Sequence, residues 1–226
     1  MSEREKILGR VREALTVTAA MPGHHGERTG HAVSSRSFPE LLPVAGEPFE
    51  ERLTQFRENA EALRAEFRSV NGEEELRAVL RQMKEAEGWK RAGTHDGELT
   101  TRAAESLGLP VVKTDGGYAV GDLDGCDAGI TECDALVAQT GSVLVTSRSA
   151  GGRALSVLPP HHVVLARREQ LVRDLPEAFE LLQRKYAGNY PSMISFITGP
   201  SRTGDIERII VLGAHGPKKL TVLLVN

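Results

Sequence analysis

The chain has 226 residues, enough for one sizeable core or one core with a small appendage, because single domains cluster near roughly 100–150 residues. Apolar residues make up 40% and charged residues 26%, with a net charge of -3, which is the composition of a soluble globular protein without the basic excess that nucleic acid demands. Aromatics at 4% are too few to furnish base-stacking platforms, so the core must be aliphatic and nucleic-acid binding is excluded on a second count.

The start, MSEREKILGR, alternates charges and lacks the apolar centre of a signal peptide. The longest aliphatic runs, 209–212 and 220–225, fall far short of the ~20 residues of a membrane span. A cytoplasmic location with no membrane span is the expectation. Cys126 and Cys133 are seven apart, which is neither a disulfide framework nor a zinc or iron–sulfur spacing, so both read as buried thiols and no metal site is expected.

Ile7, Leu8, Val11 and Leu15 recur at helical spacing and predict a short amphipathic helix. From 18 to 48 that periodicity gives way to Gly, Pro, Ser and the histidines His24, His25 and His31, which read as a flexible linker rather than as metal ligands. The stripe Phe49, Leu53, Phe56, Ala60, Leu63 and Phe67 predicts a helix of about five turns with Pro48 at its start. Asn71 and Glu74 have the spacing of a capping box for a further helix carrying Leu76, Val79, Leu80 and Met83, which Gly88 should stop.

Beyond Gly88 short apolar runs alternate with helical segments between glycine-rich turns, the pattern of an α/β domain. A helix is expected over 99–107, ended by Gly108, then a strand over 110–113. The β-prone runs 135–139 and 142–147 flank Thr140-Gly141 and predict a hairpin. Another strand is expected over 162–166, a helix over 176–186, and strands over 193–198 and 220–225. The expected organisation is therefore a helical N-terminal extension, 1–87, containing the linker 18–48, followed by an α/β domain, 88–226.

Several stretches carry residues suited to chemistry. In GPSRTGDIERIIVLGAHGP, Gly199-Pro200 ends a strand, and Ser201, Thr203 and Asp205 are able to cap a following helix. Backbone N–H groups at such a helix start, with the Arg202 guanidinium beside them, would favour a small anion. The alternative is that these side chains only cap and pair, Arg202 with Asp205 or Glu207. The lysine and glycine spacing of a nucleotide P-loop is absent. His215, before Gly216-Pro217, could present an imidazole for proton transfer, the one side chain that ordinarily titrates near neutrality. Asp205 and Glu207 are the neighbouring acids.

The tip Thr140-Gly141-Ser142 could offer hydroxyl and backbone donors to a ligand carboxylate or phosphate, or merely satisfy turn geometry. Gly151-Gly152 with Arg148 and Arg153 is open to the same pair of readings. His161 and His162 should point to opposite faces of their strand, so at most one faces a given site. Lys218 and Lys219 read as a solvated face.

The segments GITECDALVAQTGSVLV, LPPHHVVLA and FITGPSRTGDIERIIVLGAHGPKKLTVLLV resemble the lactate utilization (LUD) domain family over roughly 88–226. The most distinctive signature is the run Ser201-Arg202-Thr203, Asp205-Ile206-Glu207, followed by His215-Gly216-Pro217. The resemblance implies a three-layer α/β fold around a largely parallel sheet, similar to the phosphosugar isomerase and coenzyme A transferase group. It also implies a part in oxidising L-lactate to pyruvate beside two partners that carry iron–sulfur clusters. This chain lacks cluster cysteines, a dinucleotide glycine fingerprint and a haem attachment pattern, so no cofactor is expected in it and electrons would leave through a partner. One departure is Gln139, where the family would place Glu before Thr-Gly, and an amide cannot exchange a proton near neutral pH.

Three functions follow from these readings. The first is a cluster-free component of an L-lactate oxidation system that binds a small anionic ligand through Thr140, Gly141, Ser142, Ser201, Arg202 and Thr203. The second is a stand-alone enzyme acting on a phosphorylated or coenzyme A-linked metabolite, with His215, Asp205 or Glu207 moving a proton. The third is a non-catalytic interaction protein that docks partners through its N-terminal helices.

Overall fold

The computed structural model describes residues 3–16, 43–206 and 209–226. Residues 18–42 of the expected linker, its histidines His24, His25 and His31, and Glu207 lie outside the described residues. The described residues fall into two units, 3–16 in one and those from 43 onward in the other. In the first, helix α1 (Glu3–Thr16) forms as its periodicity predicts, with Ile7 and Leu8 exposed.

The second unit opens with α2 (Phe49–Ala62), β1 (Glu66–Val70), α3 (Gly72–Glu87), β2 (Ala92–Thr94), α4 (Glu98–Leu107), β3 (Val111–Lys113), α5 (Val120–Asp124) and β4 (Ala128–Glu132). It continues with the strands β5 (Ala135–Val137), β6 (Ser142–Thr146), β7 (His161–Arg167) and β8 (Leu171–Val172), then α6 (Leu175–Tyr186) and β9 (Ile194–Ile197). The last strands are β10 (Arg202–Ile206), β11 (Ile209–Leu212) and β12 (Lys219–Val225).

Six strands form an all-parallel sheet in the order β1-β12-β7-β4-β2-β3. The aliphatic runs at β7 and β12 are buried almost throughout, as a strand covered on both faces requires. Alternation assigns the two faces. Val163, Leu165, Leu223 and Ile130 pack on Leu76, Leu80 and Met83 of α3 and on Leu99, Ala103 and Leu107 of α4. Val164, Ala166, Val222 and Leu224 pack the other way, on Phe56 and Ala60 of α2 and on Leu136, Val143 and Val145 of a second sheet.

That second sheet has the order β8-β5-β6-β9, and its outer face is covered by Ala178, Leu182 and Tyr186 of α6. The fold is thus α/β with a parallel sheet between helical layers, as the family resemblance implies, and one of those layers contains a small sheet of its own. A Cβ on Gly129 of β4 would collide with the carbonyl oxygen of Leu155, so the glycine lets the 150–160 loop cross the sheet there. No described helix is long and apolar enough to cross a membrane.

Gly88 and Gly108 end their helices in the left-handed conformation, as expected. Three expectations need correcting. The helix from Phe49 stops at Ala62, because the chain reverses through Leu63 and Arg64, the latter at φ 67, and Phe67 lies in β1 paired with Val222. Its place on the helical stripe was a coincidence of spacing, and its ring instead packs edge-on against Phe56 at 5.4 Å. The capping box at Asn71 does not form with Glu74; Glu75 accepts from the Asn71 N–H at 2.7 Å. Finally, the described residues after Ser201 form no helix. Residues Arg202–Ile206 pair antiparallel with Ile209–Leu212, because Thr203, Ile206, Ile209, Ile210 and Val211 favour an extended backbone.

Candidate functional site

The replacement of the expected helix by a hairpin changes where the signature residues sit. Gly199, at φ 90, has room for a hydrogen only, since a Cβ would stand 2.6 Å from the Leu63 carbonyl oxygen at the end of α2. After Pro200, the Ser201 N–H donates to the Pro217 carbonyl at 2.9 Å, and the Gly213 N–H donates to the Ser201 carbonyl at 2.8 Å. Gly216 lies with its Cα side 3.2 Å from the Ser201 Cβ, counted from where a Cβ would be. The two ends of the hairpin are thereby zipped together, and Ser201 and His215 come to line one cavity of about 270 Å³.

The rest of the cavity wall is drawn from three places. His162 and Leu220 come from the amino ends of the adjacent strands β7 and β12, Met193, Ser195, Ile197 and Thr198 from β9 and its flanks, and Ser156 and Val157 from the 150–160 loop. Its polar groups are the hydroxyls of Ser156, Ser195, Thr198 and Ser201 and the imidazoles of His162 and His215. None of the described residues lining it is lysine or arginine.

Open parallel sheets more often bind ligands beyond the carboxyl ends of their strands, where a helix N-terminus attracts an anion. That position is filled internally here. The Glu132 carboxylate, at the end of β4, accepts from the N–H groups of Leu99 and Thr100 at 2.8 and 3.3 Å in the first turn of α4. A side chain at Gly97 would occupy the same space as that carboxylate.

His161 and His162 point to opposite faces of the sheet. The His161 ring meets Trp89 edge-on at 5.3 Å and its Nε2 lies 2.9 Å from the Thr221 hydroxyl. The His162 Nε2 lies 2.9 Å from the Thr131 hydroxyl. Both rings are buried, and among the described residues both Nδ1 atoms lack a hydrogen-bond partner. Burial, and secondarily the neighbouring His161, pushes the His162 pKa down to about 3, so its imidazole is uncharged at neutral pH.

The hairpin tip does not line the cavity but reaches it. Thr140 Oγ1 and Ser142 Oγ are 2.7 Å apart, and Ser142 Oγ and Thr198 Oγ1 are 2.8 Å apart, so a chain of hydroxyls runs from the tip to the cavity wall. Gly141, at φ 65, sits on α2, where a Cβ would stand 2.5 Å from the Ala60 nitrogen. Asn59 donates to the carbonyls of Ala138 and Gln139 at 2.9 and 3.1 Å and locks the tip in place. The Gln139 amide faces elsewhere, donating to the Pro43 carbonyl at 3.0 Å and accepting from the Leu175 N–H at 3.4 Å.

Arg202 is exposed and Thr203 half-buried, and neither is among the residues lining the cavity. Asp205 lies in β10. The glycine-flanking arginines are engaged: Arg148 stands over the Tyr186 ring at 5.3 Å and Arg153 donates to the Ser192 carbonyl at 2.8 Å. Lys219 pairs with Glu87 at 2.6 Å, which holds that carboxyl below its usual range. Cys126 and Cys133 are buried free thiols, and burial pushes both up. Among the described residues no group of three or more His, Cys, Asp or Glu could hold a metal. Sequence reasoning missed Thr198, Ser195 and Ser156 altogether; the polar pair His161-His162 ahead of an aliphatic run was the signal for His162.

The family model described as the LUD domain matches residues 53–225. The chain is similar to "Lactate utilization protein C" of Bacillus velezensis, 24% identical over 240 residues that cover 100% of this chain and 97% of that one. The protein of the same name from Shouchella clausii is 28% identical over 84% of this chain and 86% of its own length. That of Deinococcus radiodurans is 31% identical over 54% of this chain and 57% of its own length. A crystal structure of a DUF162 family protein from Deinococcus radiodurans superposes with a TM-score of 0.63 at 23% identity, covering 80% of this chain and 100% of that one.

Proposed function

The chain belongs to the LUD domain family, and from that membership we propose that it serves lactate utilization as a cluster-free component that holds a small hydroxy or keto acid in the cavity between β7, β9 and the 213–217 loop. The observation that carries this reading is convergence. Ser201 and His215, distant in the signature, share one cavity with Thr198 and His162. Hydroxyl and imidazole donors around an otherwise apolar wall suit a carboxylate or carbonyl oxygen on a short carbon skeleton.

Oxidation of L-lactate to pyruvate removes a pair of electrons and a pair of protons. None of the described side chains lining the cavity carries electrons, so these pass to a partner, for which the iron–sulfur proteins implied by the family resemblance are the candidates. In this reading His215, the exposed imidazole of the cavity, takes the hydroxyl proton, and the Cα hydrogen leaves with the electron pair to an acceptor that the partner supplies. A phosphorylated or coenzyme A-linked substrate is supported less, because its charge would face a wall without lysine or arginine.

The test is calorimetric titration of L-lactate, pyruvate, a sugar phosphate and acetyl-coenzyme A into the wild type and into Val157→Trp. Val157 is 45% exposed on the cavity wall, so the indole can fill the cavity without entering the core. The acids should bind the wild type and not the variant, with no heat from the phosphorylated compounds. Absence of acid binding to the wild type, or equal binding to the variant, would overturn the reading.

A further inference from the structure

We infer that His162 is the fixed donor of this cavity, its Nδ1–H giving a hydrogen bond to a carbonyl or carboxylate oxygen of the ligand. The inference rests on the cavity being the ligand site, and it names how that site recognises oxygen.

Two steps lead to it from the geometry. The Thr131 hydroxyl is wholly buried, and among the described residues the His162 Nε2 is its hydrogen-bond partner. With Nε2 protonated the Thr131 proton is the orphan, and with Nδ1 protonated the orphan is an N–H that a ligand oxygen can satisfy, so we assign the Thr131 proton to the bond with Nε2. A neutral imidazole that accepts at Nε2 carries its own proton on Nδ1. Among the described residues this Nδ1 is buried and has no hydrogen-bond partner. His162 nevertheless belongs to the cavity wall, between Leu220 and the Ser156-Val157 segment.

The other buried imidazole provides the contrast. At His161 the Thr221 hydroxyl has a second partner, the Glu66 carboxylate at 3.4 Å, so Thr221 can donate there and accept from His161 Nε2–H. Its bare Nδ1 would then be an acceptor, and His161 lies on the opposite face of the sheet, away from the cavity. Of the two buried imidazoles, only His162 combines a wall position with an unused donor. Because burial keeps it uncharged, it can bind the oxygen of a neutral keto group as well as that of a carboxylate, which a cationic anchor would not do evenly.

Two measurements test this. In nitrogen-correlated spectra of the imidazoles of the full chain, His162 should show a neutral ring protonated at Nδ1 between pH 6 and 7.5, and saturating pyruvate should shift that signal. A ring protonated at Nε2, or a signal that pyruvate leaves unmoved while calorimetry records binding, would overturn the inference and leave the proposed function standing. If calorimetry records no binding of pyruvate or L-lactate to the wild type, both fall together.

The second measurement uses His162→Asn, whose amide can donate from near the Nδ1 position, and His162→Gln, whose amide can accept from Thr131 but offers no donor at Nδ1. His162→Asn should bind pyruvate close to the wild type. His162→Gln should bind it roughly tenfold more weakly, the worth of one lost hydrogen bond. Equal binding by the two would count against the inference.

Discussion

Replacing His162 should alter how stability depends on pH, in an amount that follows from its burial. In the folded chain its pKa is pushed from the ordinary 6.5 down to about 3. Below pH 6.5 the unfolded chain therefore binds a proton that the folded chain refuses. The contribution of this residue is fully present above that pH and is lost as the pH falls toward about 3. At pH 5 the loss is about 2 kcal/mol, the distance from 6.5 multiplied by ~1.36 kcal/mol per pH unit. His161 and His95 are lowered by burial in the same direction, but both remain in a His162→Asn variant and cancel in the comparison.

The assay is urea unfolding of wild type and His162→Asn at pH 7.5 and pH 5, whatever the absolute stability of the variant. The wild type should lose about 2 kcal/mol more than the variant across that interval. Losses that agree to within about 0.5 kcal/mol would refute the reasoning, because the proton would then be bound equally by the folded and unfolded chains.

Gly141→Ala should lower stability by more than about 2 kcal/mol in a thermal melt, because the methyl meets the α2 backbone and the residue holds φ 65; a loss under about 0.5 kcal/mol would contradict the packing of the tip. Gln139→Glu, which introduces the acid expected of the family, should cost about 1 kcal/mol by leaving the Pro43 carbonyl without its donor. It should leave pyruvate binding unchanged, since Gln139 is not among the residues lining the cavity; a change in calorimetric affinity would place that position in the site.

What could be read from the sequence were elements whose local chemistry agrees with their tertiary role. Helices α3 and α4 carry strong apolar stripes and end at glycines that adopt the left-handed conformation. Strands β7 and β12 are continuous aliphatic runs because both faces of the sheet are covered. The β5–β6 hairpin turns on Gly141 as its sequence required.

What could not be read had little local signal. Strand β2 is Ala-Gly-Thr, where small residues admit Leu123 and Leu155 against the sheet and no alternation is visible. Phe67 fitted a helical stripe, yet sheet pairing with β12 placed it in a strand. Ser201, Thr203 and Asp205 are all of helix-capping type, and the β-branched residues of β11 decide the conformation of that stretch from several positions away. The candidate site was half visible: Ser201 and His215 belong to one signature, whereas His162 and Thr198 join them only through the parallel pairing of β7 with β12 and the hydroxyl chain to Ser142.

The central claim, that lactate utilization runs through this cavity, is tested most directly by growth on L-lactate as sole carbon source in a deletion strain that has no second lactate route. The wild-type gene should restore growth, and Val157→Trp, produced at the same level and with the same melting temperature, should not. Full growth supported by the variant would contradict the account, because the cavity would be filled while the function it is assigned continued.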